Sequence, residues 1–211
     1  MGSRGSGSGR GVGPFGAGMG GGNAPEGNVI KSHNLTELIG KGGGGFANEI
    51  MSTRDTMETE YGDAVKNITL MAATFDDPSV LGAYGGNTLY MNEKHIKNNY
   101  LTKAMLQAAK DGFHPSIGKK TGAEAVAAHE IGHRLGEVAA NKAGISQEDI
   151  VARAAKKIGI KTENMAGYIS KYARSNYHET IAEAYADVFC NGKNATKVSK
   201  AIVKEVKSII K

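Results

Sequence analysis

The chain has 211 residues, a single cysteine and a formal net charge of +5. One cysteine excludes an internal disulfide, and no run of about 18 apolar residues is present that could cross a membrane. The first residues also lack the apolar segment of a signal peptide, so the sequence predicts neither export nor a membrane span. Much of the excess positive charge lies near the two ends rather than on an arginine stripe with aromatics, which argues against specific nucleic-acid binding.

Glycine dominates the first part of the chain. Residues 1–45 contain 17 of the 30 glycines and almost no apolar clusters. Because glycine loses the most backbone freedom on folding, this composition predicts a flexible arm or linker over residues 1–45, with one short helix around residues 35–39. The remaining residues, 46–211, are numerous enough to bury a core without disulfides, and we predict that they form one domain.

Helical and strand patterns alternate through the first half of this domain. Apolar spacing and glycine stops predict the elements in chain order. They are a helix over residues 46–61, a buried strand over 65–75, two short strands at LGAY and NTLYMN (or one strand entered by a glycine turn), and a helix over 93–110.

The strongest helix signal is TGAEAVAAHEIGHRLGEVAANKAG. Thr121 and Glu124 form a capping box at its start, and Gly144 follows its last turn. Further helices are predicted from Ser146, over residues 163–170 as a short piece, over residues 176–190, and over the lysine-rich C-terminal segment, which we expect to pack on the domain. The sequence therefore predicts a mainly helical α+β fold with a small mixed sheet.

The motif HEIGH lies inside this capped helix. His129 and His133 are four residues apart on one helix face, so both imidazoles can bind one zinc ion, and Glu130 can take a proton from water on the metal. Histidines and a glutamate on an apolar helix are costly to desolvate without a partner such as a metal. Gly132 lowers helix propensity and so indicates close approach of another element. The simpler alternative is a pair of ordinary helix histidines.

A catalytic zinc also needs a third protein ligand. Downstream, only the segment YHETIAEAYAD places carboxylates inside an apolar helix. Its Glu179, Glu183 and Asp187 recur every four residues and share a face. Helix geometry does not choose among the three, and a solvated acidic face is the simpler alternative.

HEIGH followed by YARSNYHETIAEAYADVF resembles the gluzincin metallopeptidases of the anthrax lethal factor group and related zincin-type domains of bacteriophage head and morphogenesis proteins. In that group the second motif is a tyrosine, six residues, and a glutamate followed by two residues and Ala-Glu. This chain has Tyr172, ARSNYH and then ETIAE. The resemblance implies a zincin-like fold with Zn²⁺ bound by His129, His133 and Glu179, Glu130 as the general base, Tyr172 bonded to the oxyanion, and Glu183 behind the metal. Asp187 has no counterpart and is left as a surface residue or a distant support.

The function implied by this resemblance is that of a zinc-dependent endopeptidase acting on a protein or peptide. Zincins commonly hold the substrate along an edge strand, for which residues 87–92 are the candidate. One alternative is a virion or assembly protein that uses the domain for structure or recognition, with its glycine-rich arm contacting other virion proteins. Another is an effector or toxin protease. The expected location is a virion or the bacterial cytoplasm.

Overall fold

The structure, a computed structural model, describes residues 28–96 and 99–211. Its fold is α+β, mainly helical with one small mixed sheet, as predicted. The strands are β1 (Val29–Asn34), β2 (Thr69–Phe75), β3 (Gly82–Gly85) and β4 (Thr88–Asn92). The helices are α1 (Gly44–Tyr61), α2 (Asp63–Lys66), α3 (Tyr100–Lys110), α4 (Gly122–Ala143), α5 (Gln147–Ile158), α6 (Thr162–Met165), α7 (Tyr177–Asn191) and α8 (Lys197–Ile210).

The sheet has the strand order β1-β2-β4-β3. Strand β4 runs parallel to β2, whereas β1 and β3 are antiparallel to their neighbours. The prediction that residues 87–92 form the sheet edge is therefore wrong, because β4 lies between β2 and β3. The tight turn at Gly86 and Asn87, with positive φ angles of 56° and 63°, pairs β3 with β4. Because β4 also pairs with β2, β3 is the edge strand, and it packs against α4.

The folded part of the chain begins upstream of Phe46. The sequence predicts an arm over residues 1–45, but β1 pairs with β2, and a 3-10 helix follows at Leu35–Lys41. Leu35 and Leu38 of that helix are buried in the main core. Pairing with a strand distant in the chain gives these residues an ordered place that local composition does not reveal. Residues 1–27 of the predicted arm lie outside the described residues.

The predicted helix over residues 93–110 is shorter than expected. Asn92 caps a 3-10 turn at Glu93–His95, and α3 begins only at Tyr100. Asn99 precedes α3 with a φ of 52°, in the left-handed region that ends a right-handed helix. The predicted strand over residues 65–75 also starts late, at Thr69, because α2 occupies residues 63–66.

Helix α4 lies at the centre of the fold, against α1, α3, α7, α8 and β3. Its start is the predicted capping box, in which Thr121 Oγ1 accepts from the Glu124 N–H and the Glu124 carboxylate accepts from the Thr121 N–H. The predicted close approach at Gly132 is confirmed. A Cβ there would lie 2.9 Å from both Ala182 Cα and Tyr185 Cβ of α7. The missing side chain thus allows α7 to lie directly against the HEIGH segment.

Helix α8 closes the fold as the amphipathic pattern predicts. Val198, Ile202 and Val206 are buried against the domain, while Lys200 and Lys204 are exposed. Within the two described ranges, no helix is both long enough and apolar enough to span a membrane.

Candidate metal centre

Two helices bring three candidate metal ligands together. His129 and His133 come from α4, Glu179 comes from α7, and their ligand atoms all lie within 4.8 Å of one another. Glu179 Oε2 is 3.1 Å from His129 Nε2 and 3.6 Å from His133 Nε2, and the two Nε2 atoms are 3.1 Å apart. A tetrahedral zinc ion with bonds of about 2.0–2.2 Å separates its ligands by roughly 3.4 Å, so this triangle has the size of such a site.

Burial and hydrogen bonding also fit a cation. The side chains of His129 and Glu179 are 1% and 4% exposed, whereas that of His133 is 20% exposed and leaves the cluster accessible on one side. Among the described residues, Glu179 Oε2 has no hydrogen-bond partner of good geometry. A buried carboxylate oxygen in that situation is costly, and a metal ion would satisfy it.

The cluster is electrostatically coupled. Burial by itself lowers the pKa of His129, but the adjacent carboxylates of Glu179 and Glu183 raise it to about 10. Burial dominates at His133 and lowers its pKa to about 4. Burial would raise the pKa of Glu179, yet the charges of His133 and His129 bring it below its ordinary value. A metal ion would compete with a proton for these atoms, as expected of ligands that must be deprotonated.

The position of Glu179 is set by the start of α7. Asn176 caps this helix, and its side-chain Oδ1 accepts from the Glu179 N–H at 2.9 Å. This cap fixes Glu179 in the first helical turn, where it faces the two histidines of α4.

Glu183 lies behind His129, one turn further along α7. Its Oε1 is 2.9 Å from His129 Nδ1, so the Nδ1–H can donate to the carboxylate while Nε2 stays directed at Glu179 and His133. Burial would raise the pKa of Glu183, but His114 and His129 lower it to about 2. This carboxylate therefore stays ionised and can accept a hydrogen bond from the Nδ1–H of His129.

His114 and Ser170 complete this arrangement, and the sequence assigned neither of them a role. His114 Nδ1 lies 3.0 and 3.1 Å from the two oxygens of Glu183, and Ser170 Oγ donates to Oε2 at 2.7 Å. Neither residue shares a helix or a periodic spacing with HEIGH. The nearness of Ser170 to Tyr172 in the chain is the only local signal that could have indicated one of them.

The two residues expected to act in chemistry lie beside this cluster. Glu130 is buried on α4, and its Oε1 would be 3.3 Å from a Cβ on Gly82 of the edge strand β3. Tyr172 is buried in the 3-10 turn before α7, with its ring centroid 6.1 Å from that of His129. The structure thus brings Glu183 and Tyr172 next to His129 and places Glu130 against the edge strand β3.

Asp187, predicted to be a surface residue or a distant support, does not lie at the surface. It is 3% exposed, and its carboxylate accepts from the Thr196 N–H and from Asn191 Nδ2, both at 2.9 Å. It joins the end of α7 to the residues before α8. The alternative that Glu179, Glu183 and Asp187 form a solvated acidic face is also wrong, because Glu179 and Glu183 are buried as well.

Comparisons of the chain with protein-family models, with curated proteins and with solved structures found no match. A function must therefore be argued from the residues of the site and their geometry.

Proposed function

We propose that the chain is a zinc-dependent endopeptidase of the gluzincin type, with a zincin-like fold. The observation that carries this proposal is the convergence of His129, His133 and Glu179, whose ligand atoms lie within 4.8 Å of one another. Two nitrogens and one carboxylate oxygen, accessible from the side of His133, are the ligand set of a catalytic zinc with one open position. A closed structural site would instead have four protein ligands.

The neighbouring side chains support hydrolysis. A zinc ion, when bound, supplies a Lewis acid that polarises a carbonyl and lowers the pKa of a water molecule. Glu130, a buried carboxylate adjacent to His129 in the chain, would accept a proton from the attacking water and deliver it to the leaving amine. Tyr172 would donate a hydrogen bond from its phenolic hydroxyl to the negative charge that develops on the carbonyl oxygen. Glu183 would hold His129 in the orientation that binding requires.

The edge strand supports a peptide as the substrate. In the part of the chain that the structure describes, β3 pairs with β4 alone and so has a free edge. Gly82 brings the β3 backbone against α4, because a Cβ there would be 2.7 Å from Val126 Cγ1. An extended peptide that added to this edge would lie beside Glu130 and form backbone hydrogen bonds with the strand.

Zinc content and peptide cleavage test the proposal together. We expect the purified wild type to bind about one zinc and to cleave members of a peptide library. Glu130→Gln should retain zinc and lose activity by roughly 10²–10⁴-fold, since it removes the general base. His129→Ala should lose zinc, whereas the control His33→Ala, a histidine of strand β1 that contacts Glu93, should change neither property. Unchanged zinc content in His129→Ala would refute the site.

A second candidate is a virion or assembly protein in which the same zinc site serves structure or recognition. The glycine-rich composition of residues 1–27 favours it, since such segments often thread between neighbouring subunits. Zinc bound by both wild type and Glu130→Gln, with cleavage by neither, would support this candidate over the peptidase.

A further inference from the structure

We propose that His114 is a positioning residue of this metal centre. Its imidazole would fix the Glu183 carboxylate, which in turn would fix the ring of His129. This inference deepens the proposed function and rests on its metal site.

The Glu183 carboxylate is held by three donors from three different segments. His114 lies between α3 and α4, Ser170 lies before α7, and His129 lies on α4. Oε1 is 2.9 Å from His129 Nδ1 and 3.0 Å from His114 Nδ1, while Oε2 accepts from Ser170 Oγ at 2.7 Å and lies 3.1 Å from His114 Nδ1. His114 Nδ1 lies within 3.1 Å of both oxygens, so loss of its imidazole would remove a contact from each of them.

His114 is itself rigidly placed by the backbone beside it. The Phe113 N–H donates to the Ala108 carbonyl at 2.7 Å, and the Phe113 carbonyl accepts from the Tyr172 N–H at 3.1 Å. A further bond joins the Lys171 N–H to the Gly112 carbonyl at 2.9 Å. These bonds attach the segment before His114 to the end of α3 and to the segment that carries Tyr172.

The ring of His114 also contacts the proposed oxyanion donor. It meets the ring of Tyr172 edge-on, with centroids 5.1 Å apart, and its side chain is fully buried. Glu183 and Tyr172 thus both contact the imidazole of His114. His114 acts through Glu183 and is no fourth metal ligand, because it lies outside the set of converging ligand atoms.

Metal affinity measures this role without any need for peptidase activity. Zinc affinity would be determined by competition with a chelator, and the coordination geometry from the visible absorption of the cobalt-substituted protein. In His114→Leu, which has no donor, we expect zinc affinity to fall by about 10–100-fold and the cobalt spectrum to change. His114→Asn can place an amide N–H near the position of Nδ1 and should remain within a few-fold of wild type.

A matched control separates positioning from general core damage. His95 is also buried and stacks on Tyr100, outside the metal centre. His95→Leu should leave zinc affinity and the cobalt spectrum unchanged even if it lowers stability. Wild-type affinity and spectrum in folded His114→Leu would overturn the proposal. If His114→Leu does not fold, Ser170→Ala and His114→Asn are measured instead. Ser170→Ala should lose zinc affinity by a few-fold, because it removes another donor to Glu183. Wild-type affinity in Ser170→Ala would count against the proposal that fixing this carboxylate matters for the metal site.

A double-mutant cycle tests the route of the effect. If His114 acts only through Glu183, adding His114→Leu to Glu183→Ala should cause no further loss of zinc affinity. A further loss of about tenfold would show that His114 acts by another route and would overturn the proposal. These affinities remain interpretable if the protein cleaves no peptide, so the peptidase proposal can fail while this one stands.

Discussion

Alanine at position 132 would place a methyl group where α4 meets α7. The Cβ would lie 2.9 Å from Ala182 Cα and from Tyr185 Cβ, whereas carbon atoms in good contact are about 3.5–4.0 Å apart. Both opposing atoms belong to the backbone or to the first side-chain carbon, so no rotamer change can relieve the overlap. The two helices would have to separate locally by roughly 0.5–1 Å.

The magnitude follows from two opposing effects. Overpacking of a core contact costs about 1–3 kcal/mol, and the overlap with two fixed atoms places Gly132→Ala in the upper part of that range. Alanine recovers about 1 kcal/mol through its better helix propensity. We therefore expect Gly132→Ala to lower the free energy of unfolding by about 1–2 kcal/mol, which corresponds to roughly 2–8 °C in Tm for a domain of this size.

Gly136 supplies the matched control within the same helix. A Cβ there would be 2.9 Å from Gln147 Oε1, the far end of a flexible side chain, and 3.2 Å from Ile181 Cγ2. Small movements of these side chains can relieve the contact, and the gain in helix propensity offsets their cost. Gly136→Ala should therefore have nearly wild-type stability.

Urea denaturation of the zinc-free proteins measures both effects, and chelator competition measures the consequence for the site. Because α7 carries Glu179, separation of α7 from α4 at Gly132 should also weaken zinc binding. Equal or greater stability of Gly132→Ala relative to Gly136→Ala would refute the conclusion that direct contact of the two helices requires a glycine.

Three further predictions concern single side chains. Tyr172→Phe keeps the ring and removes only the hydroxyl, so kcat should fall by roughly 10²–10³-fold with zinc affinity unchanged; loss of zinc would contradict the oxyanion role. Asp187→Ala leaves the partly buried Thr196 N–H without its acceptor and should lower the free energy of unfolding by about 1–3 kcal/mol in urea; an unchanged midpoint would show that this link contributes nothing. Hydrogen bonds, chiefly from His33, lower the pKa of Glu93 below 4.5, so its contribution is present above that pH and is lost as the pH falls through the lowered value. Glu93→Gln should thus be less stable than wild type at pH 6, and this difference should shrink as the pH is lowered below 4.5; a constant difference would refute this linkage.

The parts of the site that the sequence predicted are those with local signals. The spacing of His129 and His133 follows from helix geometry, and the helix that carries them has a capping box and a glycine stop. Asn176 likewise marks the start of α7. His114 could not be predicted, because it reaches Glu183 only through tertiary packing of a loop that has no periodic relation to either helix.

The errors in the fold have the same origin. β1 is six residues long, and its place in the sheet depends on β2, far along the chain. The glycine-rich surroundings indicate an arm, whereas strand pairing and the burial of Leu35 and Leu38 determine order. The two-residue turn at Gly86 and Asn87 predicts that a hairpin forms, but it does not indicate which strand of the hairpin lies next to β2. The edge strand is decided by the pairing of β4 with β2, which is not a local signal.

The three carboxylates of α7, at Glu179, Glu183 and Asp187, are equally spaced but have different surroundings. Three buried carboxylates on one helix would be prohibitive unless each were compensated. Asp187 is compensated by the Thr196 N–H and a side-chain amide, and Glu183 by donors that include His129. Glu179 keeps one buried oxygen for which the described residues supply no hydrogen bond of good geometry, and that oxygen points at two imidazole nitrogens. Glu179 is thus the one of the three whose buried oxygen could hold a cation together with the two histidines.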